Sequence, residues 1–349
     1  MSRRRTVLRK TLACALVLIA HPTPAADWRG SARIGLSGGA DTNPARDYRT
    51  AASTDGFFLE GRGNGEGRLE MGSTALSGRY DLAGRVFTQQ FPQSLFAQGV
   101  GLDVAHSPLP WLSVLAEGRF KMRRGAARDY TDGSAGVGVG FLPSQAWDIS
   151  LSANAHRFLY WPSFRYSFGA PEVSLQARWR FLPKHQLYAA SDLGFRTYSG
   201  PARDASFVDT ALQRRDIATS TALGYRFRGP VALGLEYRFS LLASNSVGES
   251  MQRHRIFASV GVALPWELFL LGQASIQFTR FPDGVFLSPE VFLIDDDESL
   301  NSATLKVARP LTRWLDIEMR YALVQGALPT SGLAYLRHSL ALGLQFRIQ

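Results

Sequence analysis

The sequence predicts an all-β chain, a transmembrane antiparallel up-and-down β-barrel of about 16 strands, with about 14 to 18 compatible with the turns. Three observations carry this. Apolar residues recur with period two along whole segments, the opposite face of each segment mixes charges of both signs with glycine, and proline-bearing turns followed by aromatic residues punctuate the chain. A soluble sandwich also alternates, but its strands are nearer five or six residues, with turns about every 8–12 residues. Here the periodic segments run about 9–14 residues, the length a tilted strand needs to cross a bilayer. An apolar face lasting that far, backed by a charged one, describes a lipid-facing wall around a polar lumen. Lipid offers no water to satisfy the backbone, so such strands must close on themselves.

The chain opens MSRRRTVLRKTLACALVLIAHPTPAADW, with a basic stretch (Arg3, Arg4, Arg5, Arg9, Lys10), an apolar run from Leu12 to Ala20 and small residues at 23–26. That order is a secretory signal peptide, so residues 1–26 are expected to be removed and 27–349 to form the barrel. Cys14 is the only cysteine, and Thr11 stands where a lipoprotein signal wants an aliphatic residue, so neither a lipid anchor nor a disulfide is expected. Without the leader's five basic residues, 34 cations face 29 acids. The high isoelectric point then stems in part from targeting, and no nucleic-acid partner is expected. No cofactor is called for.

Five segments show the period most plainly. In EVSLQARWRF, Val173, Leu175, Ala177, Trp179 and Phe181 oppose Glu172, Gln176, Arg178 and Arg180. In DIATSTALGYRFR, Ile217, Leu223, Tyr225 and Phe227 oppose Asp216, Gly224, Arg226 and Arg228. VALGLEYRFS sets Leu233, Leu235, Tyr237 and Phe239 against Glu236 and Arg238, and LDIEMRYAL sets Ile317, Met319 and Tyr321 against Asp316, Glu318 and Arg320. The C-terminal SLALGLQFRI closes the series with Leu340, Leu342, Leu344, Phe346 and Ile348.

Turns at 107–111, 141–147, 181–188, 227–231, 263–266 and 308–314 contain prolines spaced 33 to 47 residues apart, room for one up-and-down strand pair. Proline suits them because its φ is preset and its missing N–H breaks no ladder bond there. Trp111, Trp147, Tyr188, Trp266 and Trp314 fall at or just after these turns, where an interfacial aromatic girdle is expected at the periplasmic edge. With a further turn near 72–75, seven short turns alternate with eight longer connections, at 39–55, 89–93, 126–132, 161–165, 199–209, 243–252, 282–300 and 326–334. That places both chain ends on the short-turn side. The apolar stretch VGVALPWELFLLG at 260–272 is read as two strand ends meeting at Pro265, with Val260, Val262, Leu264, Leu268 and Leu270 toward lipid and Phe269 and Leu271 toward the lumen.

The expected lumen-facing residues are Arg79, Asp81, Arg85, Glu117, Arg119, Lys121, Arg123, Arg178, Arg180, Arg196, Arg226, Glu236, Arg238, Asp316, Glu318 and Arg320. Any water-filled barrel carries such residues, paired across strands to hold its wall; a functional wall adds a path for a polar solute. Arginine predominates, which suits acidic or hydroxyl-rich solutes. Chemistry finds no comparable footing. His254 and His338 lack a nucleophile and an orienting group at recognisable spacing, and the acidic run at 295–298 lacks a calcium-loop pattern. No catalytic or metal-binding residue is assigned, and the chain is not expected to be an enzyme.

The early stretch SARIGLSGGADTNPARDYR, through Gly39-Ala40-Asp41-Thr42-Asn43, resembles the first strand and Asp-x-Asn loop of outer-membrane β-barrels associated with exopolysaccharide export. The terminal Gln349 departs from the aromatic residue usual in barrel-insertion signals, leaving Phe346 as the nearest substitute. The resemblance implies an integral outer-membrane barrel that forms the exit for a polysaccharide, working with a periplasmic polysaccharide-export protein. Outer-membrane lipid, lipopolysaccharide and the outer-membrane assembly machinery are the other expected partners. Two alternatives remain open at this stage: a general diffusion porin, and a non-conducting scaffold or motility-type barrel that binds periplasmic partners.

Overall fold

The computed structural model describes residues 26–44, 55–125, 129–284, 301–327 and 334–348. The expected leader lies outside these residues except for Ala26, and so does the acidic run at 295–298. The first eight strands are β1 (Ala26–Asp41), β2 (Gly56–Met71), β3 (Thr74–Phe87), β4 (Leu95–Leu109), β5 (Leu112–Gly125), β6 (Tyr130–Ser144), β7 (Trp147–Tyr160) and β8 (Phe168–Leu182). The remaining eight are β9 (His185–Arg203), β10 (Asp209–Arg228), β11 (Val231–Ser244), β12 (Met251–Leu264), β13 (Leu268–Arg280), β14 (Asn301–Thr312), β15 (Leu315–Ala327) and β16 (Ala334–Ile348). Each pairs with its sequence neighbours, and β16 returns to β1, giving a closed 16-strand antiparallel barrel.

The seam between β1 and β16 is paired from Ala32–Ile348 to Asp41–Ser339. Seven tight turns join the strands at the end that also holds both described chain ends, as the prolines predict. Pro143 and Pro310 sit inside the last residues of β6 and β14, not in the turns, and the ladder is irregular beside each. A residue without an N–H is tolerated where pairing is already ending.

Alternation holds around the wall. In the C-terminal hairpin Ile317, Met319 and Tyr321 pair in register with Leu344, Leu342 and Leu340 and face outward. On the outer face Arg124, Arg157, Arg280 and Arg309 lie within a few residues of a strand end, and Arg215 lies in the part of β10 that runs past the end of β11. The depth dependence of charge in lipid requires this: a cation at the midplane costs about 2–4 kcal/mol, one near the interface about 0–1. β2 is the exception to the apolar period. The middle of its outer face is Gly61, Gly63, Gly65 and Gly67, between Leu59 and Leu69, and side chains from neighbouring strands fold over it, the Trp28 ring lying against Gly67.

Several strands exceed the expected length, β9 reaching 19 residues and β10 reaching 20. Their outer ends continue past the bilayer-spanning register into a layer of packed loops. Many of the buried apolar residues lie inside the barrel toward this outer end, where two clusters form. Tyr130, Phe158, Tyr160, Tyr166, Phe168, Ala170 and Tyr198 form one against β6–β9, and Phe58, Phe87 and Ala341 the other beside the seam.

Candidate functional site: the barrel lumen

The register places the charged residues expected inside on the lumen face. Arg79 and Asp81 pair with Gly101 and Gly99, Glu117 and Arg119 with Gly136 and Ser134, and Asp316, Glu318 and Arg320 with the inner row of β16. Arg178, Arg180, Arg196, Arg226, Glu236 and Arg238 share the inner parity of β8–β11. The way they are held differs from the expected cross-strand pairing. Many pairs run along one strand, two residues apart on one face: Arg79–Asp81 at 2.7 Å, Arg119–Glu117 at 3.0 Å and Arg238–Glu236 at 3.0 Å. Others do bridge strands, as in Arg178–Asp148 at 3.2 Å and Lys306–Glu318. A wall built of local pairs neutralises itself, and the exposed pairs add only about 0–1 kcal/mol each to stability.

At mid-height these residues enclose a cavity of about 1070 Å³. Arg33, Arg62, Arg79, Arg119, Lys121 and Lys306 line it together with Asp81, Asp103, Asp132, Glu172 and Glu318. Six cations thus face five carboxylates, with Asn64, Ser134 and Gln345 between them. His156 joins one wall to the cavity, its Nε2 2.5 Å from Asp132 and its Nδ1 2.8 Å from Glu172. Sequence reasoning missed this group because its members lie on three strands, and only the register of β6, β7 and β8 brings them together.

Beside the seam stands a second polar group. Arg337 places Nε and Nη2 on the Asp41 carboxylate at 2.9 and 2.5 Å, and Asp41 is 1% exposed. Arg85 bonds Glu60 at 2.5 Å, and Arg320 bonds the same carboxylate at 2.6 Å. The stretch Gly39–Asn43 therefore has a structural role: a Cβ on Gly39 would sit 2.2 Å from the Leu340 carbonyl oxygen, and the Thr42 N–H extends the ladder to the His338 carbonyl at 3.0 Å. The signal for this was in the sequence, but as a motif without a mechanism.

Outside the spanning register, the loop between β11 and β12 packs onto β9 and β10. Glu249 lies between Arg203 at 2.8 Å and Arg214 at 3.0 Å. Burial pushes the Glu249 carboxyl above its ordinary range, against the pull of these two arginines.

Two groups of expected residues stand elsewhere. Of the girdle, Trp147 faces outward at the short-turn end and stacks on Trp179, ring centroids 5.5 Å apart, while Trp314 in its turn stacks on Phe346. Trp111 and Trp266 are in turns, Trp266 at 79% exposure. Tyr188 corrects the girdle reading. It pairs with Arg178 and Gly224 on the inner face, hydrogen-bonds Glu236, and has the Arg226 guanidinium 4.9 Å from its ring centre. It lies three residues beyond the outward-facing His185, so alternation turns it inward; Tyr225 takes the outward place, bonded to His185 at 2.7 Å. His254 and His338 face outward, each against a tyrosine hydroxyl, Tyr237 at 2.8 Å and Tyr321 at 2.7 Å. Ser339, on the opposite face from His338, cannot be its nucleophile.

Phe269 and Leu271 lie on the inner face at the short-turn mouth, 50% and 41% exposed beside Ala308 and Lys306. They line an open hollow of about 390 Å³. They are not packed against a plug among the described residues.

No protein-family profile matches the chain, and no curated protein sequence matches it. Solved structures do. OmpT of Vibrio cholerae, an outer-membrane protein, superposes with a TM-score of 0.51 at 7% identity over 94% of this chain and 99% of its own. A BenF-like porin from Pseudomonas fluorescens Pf-5 (TM-score 0.49, 7% identity, 92% and 99%) and the TodX monoaromatic hydrocarbon channel (0.44, 9%, 95% and 93%) are similar over comparable spans. At such identities the likeness is one of fold, a closed outer-membrane β-barrel.

Proposed function

We propose that this barrel is an outer-membrane passage for a hydroxyl-rich polar solute, and specifically the exit for a polysaccharide chain delivered by a periplasmic export partner. The observation that carries the reading is the mid-height cavity, whose wall alternates six cations with five carboxylates and amide or hydroxyl groups. Such a wall offers many hydrogen bonds and little net charge, which fits a chain of hydroxyls better than a strongly anionic solute. The polysaccharide assignment rests on the resemblance of the Gly39–Asn43 opening to export-associated barrels; the structural neighbours support a porin-like passage in general.

Deletion of the gene, complemented by the wild-type chain, is expected to abolish surface polysaccharide while uptake of small sugars is unchanged. Unchanged surface polysaccharide would overturn the export reading. Loss of small-solute uptake instead would favour a diffusion porin.

A further inference from the structure

We propose that the inner rim of the short-turn mouth, on β8–β10, is a docking site for an acidic, extended segment of a periplasmic protein. This site rests on the reading of the barrel as an outer-membrane passage with its short turns in the periplasm, whichever solute it carries. Register brings four cations together on the lumen face. Gln186 pairs with Arg226 and lies opposite Arg180, while Arg228 follows Arg226 and its N–H donates to the Lys184 carbonyl at 2.8 Å. All four cations are exposed, and none meets a carboxylate among the described residues. Strands elsewhere on this rim carry their charges in pairs: Arg29 with Asp27 and Arg68 with Glu70, both at 2.7 Å, and Arg347 with Asp316. One arc of an otherwise neutral mouth is therefore positive, and it draws anions from the periplasmic side.

The next step inward decides what kind of anion stays there. Asp148 is the register partner of Arg178, and Glu236 stands opposite Gly224. Asp192 follows on the inner face of β9. Carboxylates thus fence the patch on its inward side, with Arg178 and Arg238 already committed to Asp148 and Glu236. A solute in transit needs a succession of comparable sites; an anion leaving this patch inward meets repulsion instead. A partner that remains at the mouth needs no second site. The cations lie about 10 Å apart across β8–β10 and about 7 Å apart along one strand. An extended peptide places alternate side chains about 7 Å apart on one face, so Asp or Glu at every second position matches Arg226 and Arg228. Gln186, between the two flanking strands, supplies an amide for the peptide backbone.

The test is photo-crosslinking in cells from p-benzoylphenylalanine placed at Gln186 of the full-length barrel, with the crosslinked segment identified by mass spectrometry. One protein is expected, joined through a stretch in which Asp and Glu outnumber Lys and Arg. Arg180→Gln, Lys184→Gln, Arg226→Gln and Arg228→Gln together are expected to cut that product at least about tenfold. Arg29→Gln with Arg68→Gln, at paired positions of the same rim, is expected to leave it unchanged. Heat-modifiable gel mobility confirms that each variant is folded. If the fourfold variant is not, Lys184→Gln with Arg228→Gln serves, with an expected loss of at least about threefold. A crosslink to polysaccharide, to a neutral or basic segment, or to nothing would overturn the proposal, as would a product indifferent to the substitutions. Conductance is scored separately. A silent barrel that keeps the product retains the docking site and loses the passage, while a conducting barrel without the product does the reverse.

Discussion

Asp41 shows what one buried carboxylate does in this wall. It accepts both nitrogens of an Arg337 fork from the far end of the chain, so its charge is spent on holding the seam shut. Breaking a buried pair by removing one partner costs about 3–5 kcal/mol because the other charge stays behind. Arg337→Ala is therefore expected to lower the temperature at which the barrel loses heat-modifiable mobility, by more than Arg79→Ala, whose pair with Asp81 is exposed. Equal effects would contradict the seam role. Glu249 behaves oppositely. Its folded carboxyl is held above the usual value of 4.5, so its protonated form favours the fold. The stability it contributes is complete below the unfolded carboxylate range and fades as pH rises from there through the raised folded value. Glu249→Gln should flatten that part of the stability–pH curve, measured by thermal unfolding between acid and neutral pH; an unchanged curve would count against the burial effect.

At the scale of elements, the β12–β13 turn carries the clearest strain. Trp266 and Glu267 both have positive φ, 62° and 60°, in a turn that Asn-Gly would occupy without cost. Each left-handed non-glycine residue costs about 1–2 kcal/mol, so Trp266→Asn with Glu267→Gly is expected to raise the unfolding temperature. A lowered one would show that the tryptophan's interfacial anchoring outweighs the strain. The strands were legible where lipid imposed period two on large side chains, as in β10, β11, β15 and β16. β2 was not, because glycines hold the four middle outward positions and leave apolar residues only at its two ends, too far apart to show the period. Inward aromatics such as Phe158 and Tyr160 were equally silent, since at the outer end alternation alone does not separate a packed interior from lipid. Tyr188 failed for a related reason: nearness to a turn fixes depth but not face, and face follows from parity.

For the whole molecule, the strand count, the order of turns and the mixed charge of the inner wall all followed from the sequence, because closure in lipid leaves few other arrangements. The mid-height cavity did not, since it depends on which strands lie opposite one another and on pairs such as His156 with Asp132 and Glu172. Its nearly balanced lining predicts weak ion selectivity if the barrel conducts, with current reduced by added oligosaccharide that occupies the same hydrogen-bonding wall. The most direct test of the passage is stepwise current across a planar bilayer after reconstitution of the purified barrel. The account predicts discrete conductance steps that soluble oligosaccharide blocks and that Arg33→Glu with Lys306→Glu shifts toward cation preference. A folded barrel that remains silent under every applied voltage would contradict it.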